Sequence, residues 1–155
     1  MTHACVKPIT IGNCELKNRI FFAPTTLGLK PEEKAAKLNA IAQGQTALII
    51  LPDIPVLGSG SLQNSRTFAA YQQLISQLHQ QGAKVSAQLH LSDANFKAML
   101  KWIPALLTHR LTADQLRQKL NDSAAVTVNQ MREKRIREIL AAFGLSAQQA
   151  QAAGF

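Results

Sequence analysis

Apolar residues gather in three short runs along the chain, "RIFFAP" (Arg19 to Pro24), "TALIIL" (Thr46 to Leu51) and "KVSAQLH" (Lys84 to His90). Each has the length and β-branched or aromatic content of a strand. Between them the pattern changes to helical spacing. Pro31 with Glu32 and Glu33 makes a helix first turn, Ala35, Leu38 and Ala42 supply one apolar face, and Gly44 closes it. After the second run, Phe68, Tyr71, Ile75 and Leu78 repeat at helical spacing as far as Gly82. The third run leads into a longer excursion, "LSDANFKAMLKWIPALLTHR". Thr112 and Gln115 then predict a capping box, opening a helical stretch with breaks near Asn121 and Gly144 and an end at Gly154.

Strand and helix in strict alternation predict an α/β fold with a parallel sheet and crossover helices. The final "SAQQAQAAGF" is a run of helix formers, a capping glycine and one apolar residue. In such a chain a fourth strand is due at this point. Three parallel strands leave long unpaired edges and too few covering helices. The expectation is therefore a single partial domain over residues 1–155, in the form of a fragment, a split protein or a chain that pairs with itself.

Composition narrows the class. At 155 residues, with 46% hydrophobic and 17% charged residues, the chain is too apolar for disorder. No run approaches the roughly 18 apolar residues of a membrane span, and "MTHACVKPIT" has no secretion-signal pattern, so the expected address is cytoplasmic with no membrane partner. Cys5 and Cys14 form no disulfide framework and no metal-ligand spacing, so both read as ordinary thiols. The net charge of +8 is densest in "MREKRIRE", Met131 to Glu138. Ile136, Leu140 and Phe143 keep an apolar stripe there, Glu133 and Glu138 interleave the bases, and no aromatic residue is placed to stack on nucleobases. A solvated helix face is the preferred reading over a nucleic-acid patch.

Candidate chemistry lies at the carboxyl ends of the strands, where β/α folds place ligands. In the third strand Val85, Ala87 and Leu89 share one face and Lys84, Ser86 and Gln88 the other. Gln88 thus points away from the helices, and its amide offers a donor and an acceptor side by side, suited to a cyclic imide edge. A barrel-interior glutamine bonded to nearby backbone is the plain alternative. The first strand ends in Ala23, Pro24, Thr25 and Thr26, small residues and a rigid turn that let a flat ring approach the backbone. Equally, Thr25 and Thr26 can serve only as turn-stabilising hydroxyls.

"PITIGNCELKNRIFFAPTT", "TALIILPDIPVLGSG" and "GAKVSAQLH" resemble, in order and spacing, the amino-terminal part of the old yellow enzyme family of NADH:flavin oxidoreductases, and "AAGF" resembles its approach to the fourth strand. The resemblance implies the first three units of a (β/α)8 TIM barrel, with a long insertion after the third strand. A whole barrel needs about 250 residues. It further implies FMN as cofactor, NADH or NADPH as reductant and a small-molecule acceptor. Ala23, Pro24, Thr25 and Thr26 would lie against the isoalloxazine, Thr26 near a flavin carbonyl, and Gln88 would bond the pyrimidine edge. Asp53 falls where the family often has a small residue or a backbone contact. The family motif Gln-Leu-x-His-x-Gly-Arg is here "QLHLSDAN", so His90 stands one place early and the Gly-Arg is missing. His90 is accordingly read as a local hydrogen-bonding group, and no residue of this chain is assigned a catalytic or metal-binding role. The family's substrate-anchoring pair, its proton-donating Tyr and its phosphate-binding glycines fall on later strands. This implies weak or no FMN retention by the chain alone, and as partner the remaining carboxyl-terminal half of a barrel or a second copy. A truncated barrel acting as a non-catalytic interaction module is the alternative.

Overall fold

The computed structural model describes residues 3–91 and 96–155. After a 3-10 turn at Ala4–Val6 come β1 (Ile9–Ile11), β2 (Cys14–Leu16), β3 (Phe21–Phe22), α1 (Pro31–Gln43), β4 (Leu48–Pro55), α2 (Ser65–Gln80) and β5 (Lys84–His90). Three further helices follow, α3 (Phe96–Leu107), α4 (Ala113–Asn129) and α5 (Glu133–Ala153). The chain divides into two compact units, residues 1–90 with 142–155, and residues 91–141.

In the first unit β3, β4 and β5 form a parallel sheet in that order, joined by α1 and α2. This is the β/α alternation expected, as an open three-stranded sheet. The apolar set alternates as a one-sided sheet requires. Ile49 and Leu51 of β4 and Val85 of β5 are buried with Leu38 and Ala42 of α1 and Ile75 and Leu78 of α2, and Ala87 and Leu89 pack against them. Ala150 and Ala153, at the end of α5, belong to the same core. Their small side chains let that helix approach closely, and Ser146 one turn earlier is fully buried, its hydroxyl donating to the Val56 carbonyl at 3.4 Å.

Two side chains tie the foot of this unit. Asn18 is buried; its amide donates to the Gln45 carbonyl at 2.6 Å while its carbonyl oxygen accepts from the Ile20 N–H at 2.9 Å. His79 places Nδ1 2.9 Å from the Ala83 carbonyl and Nε2 2.8 Å from the Gly154 carbonyl, spanning the turn after α2 and the end of α5.

The structure differs from the sequence expectations in three places. The segment before β3 forms an antiparallel hairpin, β1 with β2, around Gly12-Asn13. Gly12 has φ +58°, the left-handed conformation that a two-residue hairpin turn led by glycine requires. The first parallel strand is shorter than Arg19 to Pro24, and β4 runs on to Pro55 rather than ending at Leu51. Neither Asn121 nor Gly144 breaks a helix; the interruption falls at residues 130–132. Gly144 is tolerated because flanking buried positions, Ala142 and Ser146, hold α5 in place.

In the second unit the capping box stands as expected. The Gln115 N–H bonds the Thr112 hydroxyl at 3.2 Å and the Thr112 N–H bonds the Gln115 side chain at 2.9 Å. Trp102 of α3 lies under two ammonium groups, Lys101 at 5.4 Å and Lys119 of α4 at 4.8 Å from the ring centre. Arg135 pairs with Glu138 at 3.1 Å and Arg137 with Glu133 at 2.6 Å, so the basic segment is laced by its own acids. Among the described residues, no helix is long and apolar enough to cross a membrane. Cys5 and Cys14 are exposed free thiols.

Candidate functional site at the carboxyl ends of the strands

β4 and β5 run in simple register from Leu48 opposite Lys84 to Leu51 opposite Ala87, and resume at Ile54 opposite Leu89. Two residues, Pro52 and Asp53, therefore face the single residue Gln88, which is a β-bulge. Pro52 has no N–H to give the ladder, and Asp53 takes φ +55°, a conformation that aspartate tolerates better than most residues. The bulge returns Ile54 to the core and leaves Asp53 exposed at the rim. Bulges of this kind commonly re-aim a side chain beside an active site.

Thr26, in the loop after β3, donates its hydroxyl to an Asp53 carboxylate oxygen. The structure thus joins two of the sequence-predicted residues directly and sets Gln88 across the bulge from one of them. Gln88 is exposed, and its carboxamide makes no hydrogen bond among the described residues. Ala23 and Pro24 follow β3 directly and are exposed, and the Thr25 hydroxyl donates to the Ala23 carbonyl at 3.2 Å, a turn-stabilising bond. Tyr71 of α2 has its pKa raised above 10.0, first by burial and then by the Asp53 carboxylate.

Sequence reasoning passed over one feature. The bulge was signalled by Pro-Asp inside an otherwise apolar run. His90, whose ring was expected to bond locally, ends β5 with Nδ1 buried and without a partner among the described residues. Its main-chain carbonyl accepts from the Val56 N–H at 2.9 Å. Ser92 to Asn95, where the sequence leaves the family pattern, lie outside the described residues. A hollow of about 760 Å³ is bounded by Ile11, Leu16, Leu48, Lys84 and Phe155, at the amino ends of the strands. That is the wrong end for ligand chemistry in a β/α fold. Among the described residues no cluster of three His, Cys, Asp or Glu could hold a metal.

Parallel strands with polar groups collected at their carboxyl ends define part of a ligand-binding β/α fold. The sequence matches the model of the NADH:flavin oxidoreductase / NADH oxidase family over residues 5–155, and the chain belongs to that family. It is 40% identical over 153 residues to a bilirubin reductase of Clostridium symbiosum, covering 96% of this chain and 41% of that protein. It is 26% identical over 159 residues to a metal reductase of Desulforamulus reducens, covering 96% of this chain and 23% of that protein. The crystal structure of Old Yellow Enzyme from Pichia sp. AKU4542 shares the fold with a TM-score of 0.71 at 22% identity, over 98% of this chain and 44% of that one. The chain spans less than half the length of each of these relatives.

The residues at the rim fit an isoalloxazine edge. Gln88 presents an unspent donor and acceptor, and the short residues after β3 leave backbone accessible. Thr26 fits differently from the expectation, because its hydrogen is engaged by Asp53 and only its oxygen lone pairs remain for a ligand.

Proposed function

We propose that this chain is the amino-terminal wall of an FMN-dependent oxidoreductase that moves hydride from NADH or NADPH, through flavin, to an electron-poor acceptor. The observation that carries this reading is the Gln88 amide, unpartnered among the described residues and facing the Asp53 bulge at the carboxyl ends of the strands, in a chain matching the family over residues 5–155. FMN would supply the hydride chemistry when bound; the protein supplies position and electrostatics. Gln88 would hold the imide edge, donating from its NH2 and accepting at its carbonyl. Pro24 and its neighbours would keep the ring against rigid backbone and exclude water from that side. The Asp53 carboxylate fixes the Thr26 hydroxyl, so that side chain meets a ligand as an acceptor rather than a donor. The 40% identity to a bilirubin reductase favours a conjugated acceptor carrying carbonyl and carboxylate groups, as in a linear tetrapyrrole.

Groups that grip the phosphate and anchor the acceptor would come from sequence outside this chain, supplied by a carboxyl-terminal barrel portion or a second copy. The chain alone would then bind FMN only at high concentration. Titration with FMN, followed by quenching of its fluorescence, tests this. Weak saturable quenching is expected, tightened by a separately expressed carboxyl-terminal portion and weakened about tenfold in Gln88→Leu, where the amide is lost with little change in volume. A chain that leaves FMN fluorescence unaltered at every concentration, with or without that portion, refutes the reading.

A further inference from the structure

His79 stands in the last turn of α2, and its ring joins two helix ends. Nδ1 lies 2.9 Å from the Ala83 carbonyl oxygen and Nε2 2.8 Å from the Gly154 carbonyl oxygen. Both partners are acceptors only. A neutral imidazole carries one N–H, so it donates to one of them while its bare nitrogen turns a lone pair on the other. The imidazolium, with two N–H groups, satisfies both at these distances. The Gly154 carbonyl belongs to the turn that closes α5, where Gly154 has φ +98° and the Phe155 N–H bonds the Ala150 carbonyl at 3.1 Å. The negative ends of two helix dipoles, those of α2 and α5, therefore meet at the ring and favour its positive form. Few charged groups face this corner. α2 carries no acid, and α5 has none after Glu138. Glu15 of β2 and Lys84 of β5 border the same hollow as the ring, Lys17 reaches the Gln81 carbonyl at 3.5 Å, and the terminal carboxylate follows on Phe155. Acids and bases there balance, which leaves the two carbonyls to decide the charge of the ring.

We propose that His79 is a proton-operated clasp: as imidazolium it ties the end of α5 to the end of α2, and on losing one proton it releases one of the two carbonyls. The clasp is independent of flavin binding. What it holds is the exit of α5. Ala150 and Ala153 of that helix lie in the core, and Phe155 packs on Tyr71 with ring centres 5.9 Å apart. The bond to Ala83 spans four residues of chain, whereas the bond to Gly154 spans 75. The neutral ring keeps the short-range bond, whose loop is already closed by the turn after α2, so Gly154 is the carbonyl set free. Because the folded chain holds the proton, the contribution to stability is whole at low pH and is lost as the pH rises. Phe155 thus sits firmly at acid pH and loosens at alkaline pH.

The test is the nitrogen spectrum of the His79 ring in the parent chain, read by long-range proton–nitrogen correlation and assigned through the backbone of α2. At about pH 6.5, where a free imidazole is half protonated, both ring nitrogens should show the shifts of N–H groups. The Phe155 amide signal should move in step with the ring as the second proton leaves at higher pH. Urea unfolding gives a second reading. From about pH 5.5 to about pH 8.5 the folded-to-unfolded ratio of the parent should fall about tenfold relative to His79→Gln, whose amide stays neutral throughout. The same fall should appear in Glu15→Gln and in a chain extended by a few neutral residues beyond Phe155. Its disappearance in either means that a carboxylate, rather than the two carbonyls, holds the proton, and overturns the proposal. A ring with one bare nitrogen at about pH 6.5 overturns it whether or not H79Q folds. An equal pH response of stability in parent and H79Q does the same.

Discussion

Asp53 combines a left-handed backbone, the hydrogen bond from Thr26 and an electrostatic reach to Tyr71. Burial and the carboxylate both disfavour tyrosinate, so the folded chain keeps the Tyr71 proton above pH 10.0, where the unfolded chain gives it up. That contribution to stability is complete below pH 10 and fades as the pH climbs through the raised folded value. Tyr71 is the sole tyrosine, so an ultraviolet titration of tyrosinate reports it alone. Asp53→Asn should lower the Tyr71 pKa while leaving it above 10.0, because burial, the larger cause, persists; an unchanged titration would show that the carboxylate does not reach the ring. Asn18 makes the clearest structural prediction. Removing its side chain in Asn18→Ala leaves the Gln45 carbonyl and the Ile20 N–H unpaired, at a cost of about 1–3 kcal/mol in chemical unfolding. Sequence reading set the face of Gln88 from strand alternation, and put Asp53 just beyond the second strand, whereas it lies within β4. It could not foresee Thr26 bonding Asp53, which depends on the loop after β3 meeting the β4 bulge, 27 residues away in sequence.

At the level of elements, local signals and tertiary packing contribute unequally. β5 spans the limits expected for it, Lys84 to His90, because alternation and flanking glycine agree. The β1–β2 hairpin had an equally local signal in "ITIGNCEL", a two-residue turn between short apolar-polar runs, so its omission reflects the shortness of the strands rather than missing information. Gly144 is the opposite case. Intrinsic propensity argues for a break, but α5 continues through it because Ala142, Ser146, Ala150 and Ala153 bury one face. A methyl group at Gly144 would meet nothing within 4 Å, and its φ is not in the left-handed region. Gly144→Ala should therefore stabilise the chain by about 1 kcal/mol, measured by urea unfolding. Destabilisation would mean that the helix needs a bend there. The Thr112 cap can be tested in the same way: Thr112→Ala removes the acceptor for the Gln115 N–H and should cost about 1 kcal/mol and some of the helical circular dichroism of α4.

Across the whole molecule the burial of apolar residues is uneven. In the unit of residues 1–90 and 142–155, Leu38, Ile49, Leu51, Ile54, Ile75 and Leu78 are almost wholly enclosed. Within residues 91–141, Leu111 is the one apolar side chain that counts as buried among the described residues, while Leu107 is 74% and Leu140 64% exposed. Helices in water draw most of their stability from packing an apolar face, so α3 and α4 should open far more readily than the sheet. Hydrogen exchange should show it as amides of Ile49 to Leu51 and Val85 that outlast those of α3 and α4 by at least about a hundredfold. Equal protection in both units would mean that the helices are stabilised by something other than burial within residues 91–141. The imbalance also bears on the proposed enzyme. If a carboxyl-terminal barrel portion covers the exposed leucines of α3, adding it should slow exchange in Ile103 to Leu107 while leaving the β4 amides as they were. Slowing confined to β5, with α3 unaffected, would place that portion against the free edge of the sheet alone and leave the apolar face of α3 unexplained by it.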